Sequence, residues 1–160
     1  VAQAGDRLAI NGSAWGGASG GQLFYRPLIY RDTTGAVAAL RVTTGERVWY
    51  TELPGLEDCD VEGFNACSSG YTAASTAVPG ALIAGSSQGT LRAYSKADGG
   101  VLWEYATKRS YEAINEVPAF GGAIGATSPT IVDGMMYLGS GYAIFGNSPG
   151  NVLLAFGIDE

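Results

Sequence analysis

The chain is built from short apolar runs separated by turn residues. "GAVAALRV" (residues 35–42), "ALIAG" (81–85) and "VLLAF" (152–156) are almost continuously apolar over four to eight positions. Runs of that length, rich in Val, Ile, Leu and aromatics and bounded by Gly, Pro, Asp or Ser, predict β-strands buried on both faces. "VLWEYAT" (101–107) differs. As a strand it sets Val101, Trp103 and Tyr105 on one face and Leu102, Glu104 and Ala106 on the other, the alternation expected of a half-exposed outer strand. Apolar positions at helical spacing are scarce.

The runs repeat. "GAVAALRVTTGERVW" (35–49) and "GTLRAYSKADGGVLW" (89–103) share a Gly, an apolar run, a turn with Gly and a closing Trp. Ala93 stands 54 residues beyond Ala39, and Trp103 stands 54 beyond Trp49. "PGALIAGSS" (79–87) aligns with "DGMMYLGSG" (133–141) at the same spacing, and "GNVLLAF" (150–156) matches "GTLRAY" (89–94). The opening "GDRLAINGS" (5–13) fits the strand slot that ends in Gly-Ser, and a Gly- and aromatic-rich insertion follows it, "SAWGGASGGQLFYRP" (13–27), which reads equally as a plain surface insertion or as a cover over a ligand or partner. Each unit therefore reads as four short antiparallel strands in about 50 residues, the signature of a β-propeller blade. Sheets splay toward a propeller's rim, so Trp49 and Trp103 are expected as wedges filling the widening gap, while the last unit lacks its Trp strand. Gly45, Gly89 and Gly99 fall where hairpin turns need positive φ. Blade-like units are expected at about 1–53, 68–107 and 121–160, with connecting loops at 54–67 and 108–120.

Composition agrees and narrows the partners. With 160 residues, 25 Gly, 9 Tyr, 3 Trp and only 15% charged residues, turns and strands outweigh helix. The net charge is −6 and the basic residues do not cluster, which argues against a nucleic-acid partner. No apolar run approaches the roughly 20 residues of a membrane-spanning helix. The chain has no His, which removes His-based catalysis and His metal ligands from it. It begins with Val rather than Met and carries no signal peptide, so it reads as a processed chain or a piece of a longer one.

The two cysteines, Cys59 and Cys67, lie in the polar segment "LEDCDVEGFNACSSG". A disulfide closing a surface loop is the first reading and two free thiols the second. The disulfide implies an oxidising compartment, periplasmic or extracellular. Asp58, Asp60 and Glu62 around Cys59 read as a solvated acidic loop, with calcium as the alternative.

The Ala-aromatic…Gly-x-x-x-Trp phrase resembles the tryptophan-docking repeat of propellers that carry pyrroloquinoline quinone (PQQ). The blocks "GTLRAYSKADGGVLWEYAT", "INEVPAFGGAIGATSPTIVDGMMYLGSGY" and "GNVLLAF", in that order, are similar to the C-terminal part of polyvinyl-alcohol-dehydrogenase-like quinoproteins. That resemblance implies an all-β, eight-bladed ring of which this chain is about three blades. It implies PQQ near the axis with Ca²⁺, oxidation of alcohols, cytochrome c as electron acceptor, and the remainder of the propeller as partner. The family usually carries Gly where "NEVPAFGG" has Glu116, and a basic residue where it has Phe120.

The connection at 107–130 gathers the candidate chemistry. Lys108 and Arg109 would hold quinone carboxylates by charge-assisted hydrogen bonds, Arg109 foremost. Asn115 would contact the cofactor or, with Glu116, give oxygen ligands to Ca²⁺. Tyr142, in the Gly-aromatic loop at 140–150, would line the same face. A solvated loop is the plainer reading of each. The alternative function is a non-catalytic extracytoplasmic propeller that serves as a binding scaffold or an accessory subunit of a larger envelope or redox complex.

Overall fold

The computed structural model describes residues 15–30, 34–53, 69–143 and 147–158. Every regular element among them is a strand. The first sheet comprises β1 (Ala18–Gly20), β2 (Leu23–Ile29), β3 (Gly35–Arg41) and β4 (Arg47–Glu52), antiparallel and in chain order. A two-residue strand, β5 (Thr72–Ala73), precedes the second sheet, which runs β6 (Thr76–Ala77), β7 (Ala81–Gly85), β8 (Thr90–Ser95) and β9 (Val101–Ala106). After β9 come a small hairpin of β10 (Ser110–Tyr111) and β11 (Ala119–Phe120), and then β12 (Gly125–Ala126). The third sheet has three strands, β13 (Thr130–Val132), β14 (Met135–Ser140) and β15 (Val152–Phe156).

The 54-residue repeat extends to the detail of strand pairing. Ala39 lies opposite Trp49 and Ala93 opposite Trp103, and in both sheets a β-bulge follows at once, pairing Leu40 with Arg47 and Tyr94 with Val101. The extra residue in the outer strand turns its first residues relative to its neighbour, the local twist a splayed blade needs. Gly45, Gly89 and Gly99 all take positive φ, as the turns require.

The sheets pack face to face. Tyr25, Val37, Ala39 and Trp49 of the first meet Leu82, Ala84 and Tyr94 of the second. The second meets the third through Ile83, Leu91 and Ala93 against Leu138, with Met136 and Phe156 alongside. The Trp wedge is literal at the first junction. Trp49 is buried, its indole Nε1 donates to the Lys96 carbonyl at 3.0 Å, and Thr51 Oγ1 donates to the Gly99 carbonyl at 2.7 Å. Both acceptors lie in the β8–β9 turn of the next sheet. Gly99 is needed there twice over: its φ is +77°, and a Cβ would fall 2.5 Å from the indole.

Two expectations need correction. The described part of the 13–27 stretch, 15–27, is not a surface insertion. It forms β1 and most of β2, and β2 pairs along the whole of β3. The hydrophobic positions of "LFYRPLI" lie in a sheet with Tyr25 and Leu28 fully buried, so this stretch supplies the inner hairpin of the first sheet. The "GDRLAINGS" segment lies outside the described residues. The second correction concerns β9, which does not alternate: only Tyr105 is partly buried. Trp103 remains 38% exposed because Phe156, edge-on at 5.7 Å, is the third-sheet ring against it, whereas Trp49 has a whole turn to dock on.

Candidate functional site

The inner edges of the second and third sheets converge where β5 and β12 pair in parallel, Thr72 with Gly125 and Ala73 with Ala126. Short hydrogen-bonded links draw the neighbouring turns in. Ser87 N donates to Gly70 O at 2.9 Å, Ile124 N to Ser86 O at 3.1 Å, and the Thr72 and Ser87 hydroxyls lie 3.0 Å apart, buried. Over this convergence runs the connection from β9 to β12.

A buried hydroxyl relay fixes that connection. Gly122 N donates to Ser140 Oγ (3.0 Å), Ser140 Oγ to Thr107 Oγ1 (2.7 Å), and Thr107 Oγ1 to Gly89 O (2.8 Å). Each hydroxyl then uses its one proton and accepts one bond, so no polar atom of the relay is stranded. Thr107 is fully buried and Ser140 nearly so. Backbones pass so closely here that a Cβ on Gly121 would lie 1.9 Å from Thr107 O.

Asn151 holds the base of the β10–β11 hairpin. Its Oδ1 accepts from Phe120 N at 2.9 Å, its Nδ2 donates to Pro118 O at 3.0 Å, and its own N–H donates to Phe120 O at 2.9 Å. The tip beyond is bare: Ile114 is fully exposed and Val117 half so. Glu116 takes a φ of +58°. The turn thus takes the left-handed geometry that glycine favours, with a glutamate in it.

The candidate residues fall in three places. Lys108 and Arg109 are at the hairpin's root, both exposed. The Arg109 guanidinium lies 4.7 Å from the Tyr105 ring and 5.2 Å from the Tyr111 ring, and it donates to the Tyr105 hydroxyl. Hydrogen bonds to Tyr111 and Tyr105 raise its pKa above its ordinary value. Asn115 and Glu116 sit at the exposed tip, where Asn115 Oδ1 accepts weakly from Val117 N at 3.4 Å. Tyr142, 58% exposed, lines an open groove of about 370 Å³ beside Thr127, Ser140 and Asn151. Cys59, Cys67, Asp58, Asp60 and Glu62 lie outside the described residues. Among the described residues no three His, Cys, Asp or Glu side chains come together as a metal site, and no helix is long and apolar enough to cross a membrane.

Sequence reasoning missed Thr107, Ser140 and Asn151. Ser140 carried a signal, since it repeats Ser86 at the unit spacing. Asn151 carried none, because its partners are backbone atoms some 30 residues away. A second network was missed as well. The Tyr71 and Tyr94 hydroxyls lie 2.5 Å apart in the first junction, and Arg92 Nε donates to Glu104 Oε2 at 2.5 Å beside them. Burial pushes the Tyr71 hydroxyl well above its usual pKa, with the neighbouring Tyr94 adding to the shift; burial raises Tyr94 too.

Four-stranded antiparallel sheets, stacked face to face and joined by a Trp that docks on the next sheet's turn, define part of a β-propeller. The chain is 39% identical over 134 residues to a polyvinylalcohol dehydrogenase of Pseudomonas sp, covering 77% of this chain and 20% of that protein. It is 33% identical over 132 residues to the polyvinylalcohol dehydrogenase of Sphingopyxis sp. (strain 113P3), covering 76% of this chain. It spans about a fifth of the length of these relatives. Among solved structures, quinohemoprotein alcohol dehydrogenase from Comamonas testosteroni matches with a TM-score of 0.54 at 20% identity, over 86% of this chain and 18% of that one, a likeness of fold. No protein-family model matches.

Proposed function

We propose that this chain is a portion of a propeller that oxidises alcohols with PQQ, passing electrons to a cytochrome c, in the periplasm or outside the cell. The observation that carries the reading is the 39% identity to a polyvinylalcohol dehydrogenase along three-quarters of the chain. The remainder of the ring would come from further propeller in the same or another polypeptide.

The donor set fits an anionic quinone. Lys108 and Arg109 bring two cations to the root of the connection. On the turns at either side of it, the donors Gln88 Nε2 and Asn147 Nδ2 are buried without a hydrogen-bond partner. Buried donors left unpaired are costly, and carboxylate or carbonyl oxygens would satisfy them. Bound PQQ would supply the two-electron oxidant. This chain's own part is to hold the connection still, through the Thr107–Ser140 relay and the Asn151 clamp. Ca²⁺ does not fit as well. It takes six to eight oxygens, and Asn115 with Glu116 offers two neighbouring side chains on an exposed turn.

The test is a titration of the complete apo-protein with PQQ, with and without Ca²⁺, for the parent and for Arg109→Ala and Lys108→Ala. Losing a charge-assisted hydrogen bond to the bound quinone would weaken binding roughly 10- to 150-fold. Unchanged affinity in Arg109→Ala would leave that guanidinium to its two tyrosines. No binding by the parent would favour the scaffold reading, which Phe120 in a usually basic position also favours.

A further inference from the structure

The dipeptide Asp-Gly occurs twice, at 98–99 and 133–134, each time in the turn of a hairpin. At such a step the Gly nitrogen, with no side chain beside it, can approach the carboxyl carbon of the Asp closely. The fold treats the two steps differently. Gly99 N donates to Ser95 O at 2.9 Å, and Asp98 Oδ1 accepts from Gly100 N at 3.1 Å. Gly99 is itself buried against the Trp49 ring. The Gly100 bond also holds the Asp98 carboxyl below its ordinary pKa, so the protonated form, the one able to lose water, is scarcer. Both reacting groups at 98–99 are engaged. At 133–134, among the described residues, no hydrogen bond holds the Gly134 N–H or the Asp133 carboxyl. Both residues are exposed, and a Cβ on Gly134 would meet nothing within 4 Å.

The backbone favours reaction at the same place. Asp133 has a φ of +48° and Gly134 one of +75°, the two positive values of a type I′ hairpin closed by Val132 opposite Met135. An L-residue is strained there and a D-residue is not. The matching turn of the second sheet, 54 residues earlier, is Pro79-Gly80, which has no carboxyl to cyclise. That turn is exposed although its sheet has a neighbour on each face, so exposure of 133–134 does not depend on what lies beyond the third sheet. We infer that Asp133 is a site of spontaneous covalent modification in the native protein, and that Asp98 is not. The Gly134 nitrogen bonds to Asp133 Cγ, its proton and a carboxyl oxygen with its proton leave as water, and a succinimide ring closes. Water then opens either carbonyl, returning aspartate or routing the main chain through the β-carbon as isoaspartate. The Cα proton is acidified in the ring and exchanges, so D-forms appear as well. A water leaves and a water returns, and no oxidant is needed. D-aspartate keeps the backbone length and suits the turn's φ, so the native turn enriches it.

The test incubates the native full-length polypeptide in heavy-oxygen water at neutral pH and maps the label by tandem mass spectrometry, since each passage through the ring leaves a heavy oxygen in the residue. Each rate is divided by that of the same site in the unfolded chain. Two ordinary hydrogen bonds must open first at 98, so this ratio should be roughly 10-fold or more higher at 133. Chiral analysis should find a larger D-fraction at 133 in the native protein than in the unfolded chain at equal labelling. Asp133→Asn should react faster, with ammonia leaving in place of water. Asp133→Glu should take up no label at 133, because its larger ring closes far more slowly. Equal ratios at 98 and 133, no label at 133 in the native protein, or an unenriched D-fraction overturns the inference.

Discussion

The indole nitrogen of Trp49 donates to the Lys96 carbonyl across the junction between the first two sheets. The bond joins the outermost strand of one sheet to the turn between the last two strands of the next, with 46 residues between the partners. It converts a wedge that could slide into one with a single seat, because the turn's carbonyl and Gly99 must both meet the indole.

Trp49→Phe keeps most of the apolar bulk and loses the hydrogen bond, so it should lower stability by about 1 kcal/mol. Trp49→Ala also opens a cavity and should cost about 3–5 kcal/mol. Urea unfolding measures both. Trp103→Ala in the same chain should cost clearly less, since Trp103 is half exposed.

Gly99 and Gly80 separate backbone strain from contact. Both have φ near +80°, yet a Cβ on Gly80 meets nothing within 4 Å and one on Gly99 strikes the Trp49 ring. Gly80→Ala should therefore show only the left-handed penalty of about 1–2 kcal/mol. Gly99→Ala should exceed it and red-shift the Trp fluorescence as the indole is displaced. Equal costs would mean that the indole yields freely.

The Tyr71–Tyr94 pair should make the fold alkali-sensitive. Burial holds both hydroxyls neutral above their usual pKa of about 10. A raised folded pKa favours the protonated state, so this contribution is complete below about pH 10 and is lost as pH rises through the folded values. Stability against pH should fall less steeply above pH 10 in Tyr71→Phe than in the parent. The same substitution should cost about 1–3 kcal/mol near neutrality, where the Tyr94 hydroxyl loses its partner.

Cys59 and Cys67 are expected to be bridged. A loop this short should gain about 2–3 kcal/mol from closure. Alkylation without reductant followed by mass spectrometry should leave both unlabelled, and two labelled cysteines would refute the bridge and reopen a cytoplasmic location.

The strands and their repeat were legible because they follow from patterning: continuous apolar runs for buried strands, glycines where φ must be positive, and a Trp at the same place in two units. The first sheet's inner hairpin was not, because "SAWGGASGGQLFYRP" carries turn-like glycines ahead of its strand, and the "GDRLAINGS" segment matched the expected slot better. The candidate site was less legible than the fold. Arg109 read as a cation for quinone carboxylates, but Tyr105 and Tyr111 flank it at spacings of four and two residues, and only the hairpin geometry brings both rings to it. Asn151 and Thr107 act on backbone atoms, which sequence does not display.

The matched bulges carry a consequence for how such a chain can change over generations. Inserting or deleting one residue between Ala93 and Trp103 would turn the indole to the opposite face, away from its seat. An exchange between the two copies of the phrase, aligned 54 codons apart, would instead give offspring with a whole unit gained or lost and every remaining indole still opposite its alanine. The fold thus tolerates recombination in whole units and penalises it between them, so that ring size can drift in steps of one sheet while the junction itself stays constant.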